Sequence, residues 1–163
     1  MRFRSGFMTF ALVALCVLFT ASAFAAERLG ASKGQSVYVP VYSHVYHGAK
    51  NRAVQMTTMV SIRNTNRRED ITLTAVRYYD TKGHLVRSYV REPIVIPSMA
   101  TQEFIVSLKD TTGGSGANFI VEWEAATRVS NPVVEALMLS TESSLGISFV
   151  RPGRILSEKD AVR

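Results

Sequence analysis

Apolar and polar residues alternate along this chain in short runs, and this period of two constrains the fold more than any other feature of the sequence. In residues 36–45 the valines Val37, Val39 and Val41 occupy one side of the alternation, and polar or aromatic residues occupy the other. Successive side chains of a β-strand point to opposite faces, so such a run predicts a strand with one buried face. β-branched and aromatic residues fill the runs, and the 3.6-residue period of a helix does not recur, which predicts an all-β fold.

The remaining runs are separated by turn residues, as at Asp80-Thr81-Lys82-Gly83, where a glycine suits a hairpin loop. Because no helical segment lies between the runs, parallel βαβ units are excluded and antiparallel pairing is expected. We predict a single antiparallel β-sandwich domain over residues 36–152, immunoglobulin-like in arrangement, with a polar lead at 26–35 and a tail or short helix at 153–163. The predicted strands after 36–45 are 54–63, 71–79, 85–90, 94–96, 103–108, 119–124, 133–139 and 145–150.

Residues 1–25 have the organisation of a cleaved signal peptide. Arg2 and Arg4 provide positive charge, residues 7–19 are almost all apolar, and Ala23-Phe24-Ala25 fits an A-x-A cleavage site. The apolar run is shorter than the roughly 20 residues that a transmembrane helix requires, so no stable membrane anchor is expected after cleavage. We therefore predict a periplasmic or secreted protein.

Composition narrows the chemistry of the exported part. Cys16, the one cysteine in 163 residues, lies inside the predicted signal peptide, and Leu15 before it is not the small residue that a lipoprotein signal needs. Removal of Cys16 with the signal leaves no thiol for a disulfide, a nucleophile or a thiolate metal site.

The chain carries 19 Lys and Arg against 13 Asp and Glu. An exported basic domain suits anionic envelope components, whereas nucleic acid is not expected because basic and aromatic residues are not interleaved.

An aromatic row is the most informative surface feature. It comprises Tyr38, Tyr42, His44 and Tyr46, which share the side opposite the buried valines. Alternate side chains on a strand lie about 6.5–7 Å apart, so the row could stack on sugars or peptides, or pair with an added strand. The alternative is that a neighbouring loop or sheet covers this face. Asn118 and the glycine-rich segment before it are predicted neighbours of the row.

The histidines suggest a second ligand chemistry. His44, His47 and His84 could bind copper or zinc, since neutral imidazole suits both metals. Residues three apart on a continuous strand face opposite ways, so His44 and His47 could share a metal only if the chain turns near Gly48. The alternative is three separate histidines that hydrogen-bond locally, because neither their spacing nor a nearby carboxylate matches a known site.

Two features bear on catalysis, and neither meets the requirements of an enzyme site. Ser115 lies in a Gly-Gly-Ser-Gly-Ala segment, where Ala117 replaces the last glycine of a nucleophile elbow and a strand rather than a helix follows. Glu122 and Glu124 share one strand face about 7 Å apart, a separation that can serve glycoside hydrolysis but is also common among solvated acids. We predict no enzyme activity and no cofactor, with a hydrolase as the third alternative.

Several longer strings resemble one bacterial family. They are SVYVPVYSHVYHG at 36–48, SIRNT at 61–65 with YYD at 78–80, GGSGANFIVEW at 113–123 and GISF at 146–149. Together they cover most of the chain after the predicted signal, and they are similar to the family catalogued as domain of unknown function 3124. The resemblance implies a stand-alone, exported bacterial domain, and it brings no assigned activity.

The sequence as a whole favours a non-enzymatic β-sandwich module that binds a component of the bacterial cell envelope, either a polymer or a protein partner. The aromatic row and Asn118 supply the predicted binding residues. A histidine-based copper or zinc binding protein is the alternative. The identity of the ligand, the strand order and the oligomeric state stay open at this point.

Overall fold

The computed structural model describes residues 30–141 and 146–159, and every regular element in these ranges is a β-strand. The predicted signal peptide with Cys16, and the predicted lead and tail at 26–29 and 160–163, lie outside the described residues. Across the described ranges, no helix is long and apolar enough to cross a membrane. The strands are β1 (Ala31–Pro40), β2 (His44–His47), β3 (Arg52–Gln55), β4 (Thr57–Arg63), β5 (Ile71–Tyr79), β6 (Leu85–Ser88), β7 (Ile94–Ile96), β8 (Thr101–Val106), β9 (Asn118–Ser130), β10 (Val133–Ser140), β11 (Ile147–Pro152) and β12 (Arg154–Glu158).

Two antiparallel sheets and a separate hairpin organise these strands. The larger sheet has the order β12-β1-β9-β5-β6, with β7 also paired to β5, and the smaller sheet has the order β11-β10-β4-β8. Strands β2 and β3 form a two-stranded hairpin. Both sheets contribute side chains to one hydrophobic core between them. The predicted all-β antiparallel sandwich is therefore confirmed.

The core is formed by the side chains that the alternation in the sequence predicts to point inward. Val39 of β1, together with Val60 and Ile62 of β4, is inaccessible to solvent. Trp123 of β9 is the largest buried side chain, and its Nε1 donates a hydrogen bond to Gln35 Oε1 at 3.3 Å. The polar atom of the indole is thereby satisfied, as the burial of a tryptophan requires.

The run predicted as one strand over 36–45 is divided in the structure. After β1, the backbone turns toward the segment that precedes β9, because Val41 N donates to Ala117 O at 3.0 Å and Ser43 N donates to Gly114 O at 3.1 Å. The chain then continues as the β2–β3 hairpin. Val41 stays buried through the turn, so the apolar alternation continues across the break and does not reveal it.

Residues 154–158 form strand β12, whereas the sequence predicts a tail or a short helix there. β12 pairs with β1 at the edge of the larger sheet, with one β-bulge in the pairing. The chain reaches this edge by crossing from β11 at Gly153, where a Cβ atom would lie 2.6 Å from Val37 Cγ1 and 3.0 Å from Val134 O. The structure differs because the edge of β1 offers backbone hydrogen bonds that outweigh a weak helix propensity. β1 itself begins at Ala31, inside the predicted polar lead.

An apolar row crosses the outer face of the smaller sheet. Ile105 is 58% exposed at one end of this row, and Val150 is 52% exposed at the other. These residues occupy positions at which the alternation expects polar side chains facing solvent. In the order in which they pair across β8, β4, β10 and β11, the members are Ile105, Met59, Leu137 and Val150.

Candidate functional site

Three segments meet at one end of the sandwich, where β1 ends and β9 begins. They are residues 41–44 after β1, the β5–β6 turn at 80–84, and the connection at 110–117, which is called the glycine loop below. The glycine loop bonds to both of the others, because Gly114 O accepts from Ser43 N at 3.1 Å and Gly113 O accepts from Thr81 N at 2.8 Å. Loops held on rigid strands are where β-sandwich proteins commonly place binding groups.

The glycine loop is packed closely against β5 and the turn that follows it. Thr81 Oγ1 donates to Gly113 O at 2.9 Å and accepts from Gly116 N at 3.0 Å. The Tyr78 phenol lies against the loop, where the Gly113 N–H bonds to its oxygen, and a Cβ atom on Gly113 would overlap that oxygen. Burial, and then the negative charge of Asp110, raises the pKa of Tyr78 to about 12. The lack of a side chain at position 113 therefore lets the loop close over a buried tyrosine.

The hairpin beside the glycine loop carries an ordered aromatic pair. His44 and Tyr46 lie on the same face of β2, with ring centroids 5.0 Å apart in an edge-to-face arrangement. His44 Nε2 is 3.0 Å from Tyr46 Oη, and His44 Nδ1 is 3.1 Å from Ser43 Oγ. Both ring nitrogens are engaged, which fixes the orientation of the imidazole, while Tyr46 remains 59% exposed.

The other members of the predicted aromatic row lie elsewhere. Tyr38 is half-buried in the larger sheet, opposite Ile120 of β9. Tyr42 packs edge-on against Phe149 with ring centroids 5.6 Å apart, and it contacts the core. Asn118 is the first residue of β9, directly after the glycine loop. The structure therefore divides the row and keeps two of its members together near the loop.

The three histidines occupy separate environments. β2 remains a continuous strand to His47, which therefore faces the opposite side from His44. In the β5–β6 turn, His84 Nδ1 is 3.2 Å from Asp80 Oδ2, and the His84 backbone N–H is the main cause that lowers the pKa of Asp80 from its ordinary value. Within residues 30–141 and 146–159, no group of three or more His, Cys, Asp or Glu side chains is arranged to hold a metal ion. Copper or zinc binding stays a prediction.

The carboxylates considered for hydrolysis each have a cationic partner on a neighbouring strand or segment. Arg77 Nη1 lies 3.0 Å from Glu122 Oε1, and Lys159 Nζ lies 2.7 Å from Glu124 Oε2. Ser115 is half-buried in the glycine loop, and the chain after it enters β9 rather than a helix. Ion-paired carboxylates of this kind are typical of structural residues. Ser115 lacks the context of a nucleophile elbow, because an elbow leads from a strand into a helix.

Sequence reasoning missed the cations at the tip of the β2–β3 hairpin. Lys50 lies in the turn, and Arg52 begins β3 directly opposite His47. The turn and these side chains line a cavity of about 280 Å³. The sequence feature that could have identified them is an absence of acidic residues, since no Asp or Glu occurs between Glu27 and Glu69. The hairpin therefore has no acidic neighbour along the chain.

Comparison with known proteins gives one match to a family and one to a solved structure. The model of a family described as "Protein of unknown function (DUF3124)" matches residues 34–156. The crystal structure of Thermotoga maritima 1070 is similar over 74% of this chain and 92% of that chain, with 11% sequence identity and a TM-score of 0.46. No curated protein matches the sequence.

Proposed function

Because the chain belongs to the DUF3124 family, whose description assigns no activity, we propose its function from its own surface. The protein is a non-enzymatic β-sandwich module that is exported and binds a saccharide-containing polymer of the bacterial cell envelope. The binding surface comprises His44 and Tyr46 on the β2–β3 hairpin, with the glycine loop beside them. The single observation that carries the proposal is the exposed ring of Tyr46 held against an oriented histidine.

A fixed aromatic ring at the surface is suited to saccharide recognition. The apolar faces of a sugar ring stack on an aromatic ring, and the phenol and imidazole add polar contacts at its edge. Tyr46 loses little conformational entropy on binding, because its contact with His44 already restricts it.

The scaffold behind this pair holds it in place. Ser43, next to the pair, is buried, and its backbone N–H bonds to Gly114 O in the glycine loop. Met56 N donates to Ser43 O at 2.9 Å, which ties the other end of the hairpin to the same residue. Both ends of the hairpin are thus fixed to one buried serine. A binding group supported in this way keeps its geometry, which favours affinity.

Tyr46→Ala is expected to weaken binding to the envelope polymer about tenfold, which corresponds to about 1.4 kcal/mol. The measurement is co-sedimentation of the exported protein with purified peptidoglycan sacculi and, separately, with lipopolysaccharide aggregates. Tyr46→Phe keeps the ring and removes the hydroxyl that contacts His44, so it separates stacking from hydrogen bonding.

Ile105→Ala is the matched control for the tyrosine variant. Its side chain is 58% exposed on the outer face of the smaller sheet, so the variant removes an exposed apolar group from a different surface. We expect this variant to bind as the unsubstituted protein does. Binding that is unaffected by Tyr46→Ala, or no binding of the protein to either polymer, would refute the proposed function.

Export is expected to leave a chain that begins at Ala26. Cleavage after Ala23-Phe24-Ala25 follows from the A-x-A pattern. The measurement is the intact mass and N-terminal sequence of the protein recovered from periplasmic and culture-medium fractions. Recovery of a chain that still begins at Met1, in the cytoplasmic fraction, contradicts the export part of the proposal.

A further inference from the structure

The β2–β3 hairpin places two basic side chains directly opposite each other beyond the edge of the core. Val45 pairs with Val54 in the hairpin, and His47 pairs with Arg52 as the next pair on the same face. Val54 is only 7% exposed, and Val45 packs against the core, so this face is the one directed toward the protein. His47 and Arg52 therefore continue the anchored face past the point where the core ends.

The turn brings a third basic residue to the same place. Gly48 and Asn51 both adopt positive φ, at 68° and 47°, and Asn51 N donates to Gly48 O at 3.1 Å. This closes a tight turn that carries Lys50 between them. The cavity of about 280 Å³ at the tip is lined by His47, Gly48, Ala49, Lys50 and Arg52.

The basic groups of the tip, His47, Lys50 and Arg52, form no ion pair with a carboxylate among the described residues. Four other cations have carboxylate partners, in the pairs Arg63–Glu135, Arg77–Glu122, Arg87–Asp110 and Lys159–Glu124, whereas Arg67 and Arg68, within the described ranges, have none. What distinguishes the tip is that its unpaired basic groups lie on facing strands and the turn that joins them, and line one cavity. A bound anion would supply the missing negative charge at the tip.

We propose that the hairpin tip binds a phosphate group. The Lys50 ammonium group offers three N–H donors, and the Arg52 guanidinium can bond two phosphate oxygens side by side. His47 adds a third donor side chain from the facing strand. Three donor side chains match the several oxygens of a phosphate better than the two oxygens of a carboxylate. The phosphate is either inorganic or carried on a saccharide, and the saccharide source rests on the function proposed above.

The experiment is a titration of the full exported protein with inorganic phosphate and with glucose 1-phosphate, followed by calorimetry and by backbone amide NMR shifts. We expect saturable binding with shifts concentrated at residues 47–52, and affinity about tenfold lower for the double variant Lys50→Gln/Arg52→Gln. Tighter binding of glucose 1-phosphate identifies a phosphorylated saccharide as the ligand. Equal binding of the two probes identifies phosphate alone.

The double variant Arg67→Gln/Arg68→Gln is the matched control. It removes the same two positive charges from an exposed loop after β4, so a general effect of net charge would appear in both variants. We expect the control to bind phosphate as the unsubstituted protein does, and the thermal midpoints of both double variants should agree, which excludes unfolding. No saturable phosphate binding, or equal weakening by the two double variants, overturns the proposal.

The small probes also separate this proposal from the function proposed above. If the unsubstituted protein binds phosphate but neither envelope polymer, the phosphate site at the tip is supported and the polymer function is refuted. If polymer binding depends on Tyr46 but is unchanged by Lys50→Gln/Arg52→Gln, and phosphate does not bind, the polymer function is supported and the phosphate site at the tip is refuted.

Discussion

Asn64→Ala is expected to lower the free energy of unfolding by about 3 kcal/mol, measured by urea denaturation at neutral pH. Asn64 is 2% exposed, and its side chain holds together two connections at the end of the sandwich away from the glycine loop. Its Nδ2 lies 2.9 Å from Glu69 O, 3.2 Å from Ile96 O and 3.1 Å from Pro97 O. Its Oδ1 accepts from Asn66 N at 3.0 Å.

The size of this effect follows from what alanine leaves behind. The Ile96 carbonyl is buried, and a buried group without a partner costs about 1–3 kcal/mol. The remaining carbonyls and the Asn66 N–H are partly buried and recover some hydration, so the individual costs do not simply add.

Asn66→Ala provides a control with the same chemical change in the same loop. Asn66 Oδ1 accepts from Arg68 N at 2.9 Å and from Glu69 N at 3.0 Å, but both bonds are exposed to solvent. We expect this variant to cost about 1 kcal/mol or less, because water replaces the lost acceptor. Equal, small losses for the two variants would show that Asn64 does not anchor these connections.

The fold is expected to lose about 3 kcal/mol of stability between pH 10 and pH 12 through Tyr78 alone. The phenol is 1% exposed beside the glycine loop, and its pKa is raised from 10.0 to about 12. Above pH 10 the unfolded chain releases this proton while the folded chain retains it. The unfolded state then binds fewer protons, so the free energy of unfolding falls as pH rises, by about 1.4 kcal/mol per pH unit.

Tyr78→Phe isolates this contribution in urea denaturation curves recorded from pH 9 to pH 12. Burial also raises the pKa of Tyr89, so the unsubstituted protein has more than one source of alkaline destabilisation. The variant loses the hydroxyl that bonds to Gly113 and is less stable at pH 9, but its stability should fall less steeply above pH 10. Parallel curves for the two proteins would contradict the assignment to Tyr78.

The strands were predictable where one face is buried and the other is solvated. Val39, Val60 and Val121 lie in such runs, and each is buried as the alternation predicts. The pairing of β5 with β6 follows from the turn chemistry at Asp80 and Gly83, which has a φ of 82°. Period and turn residues are local properties, so a single sequence contains them.

The features that could not be predicted depend on contacts between distant residues. The turn after Val41 exists because Ala117 and Gly114 offer their carbonyls, and no local pattern records that. β12 is a strand because β1 has an edge for it to join. The division of the aromatic row follows from the first of these contacts, so the candidate site was predictable only as far as His44 and Tyr46 within β2.

Two surface features were present in the sequence as departures from its own pattern. Met59 and Ile105 are apolar residues at positions where the alternation expects a polar residue, and they mark the row on the outer face of the smaller sheet. Lys50 and Arg52 lie in a stretch without any acid. Both departures lie on the surface, where the burial that produces the alternation does not account for them.

The position of β1 in the larger sheet determines when the fold can form as the chain is synthesised. β1 ends at Pro40, whereas its neighbours β9 and β12 begin at Asn118 and Arg154. β1 therefore waits for both of its sheet neighbours until most of the described chain has been made, and such long-range pairing is slow. Because β1 cannot complete its pairing before β12 has been made, the larger sheet is expected to finish folding only after the end of β12 has been synthesised, although local hairpins such as β2–β3 can form earlier.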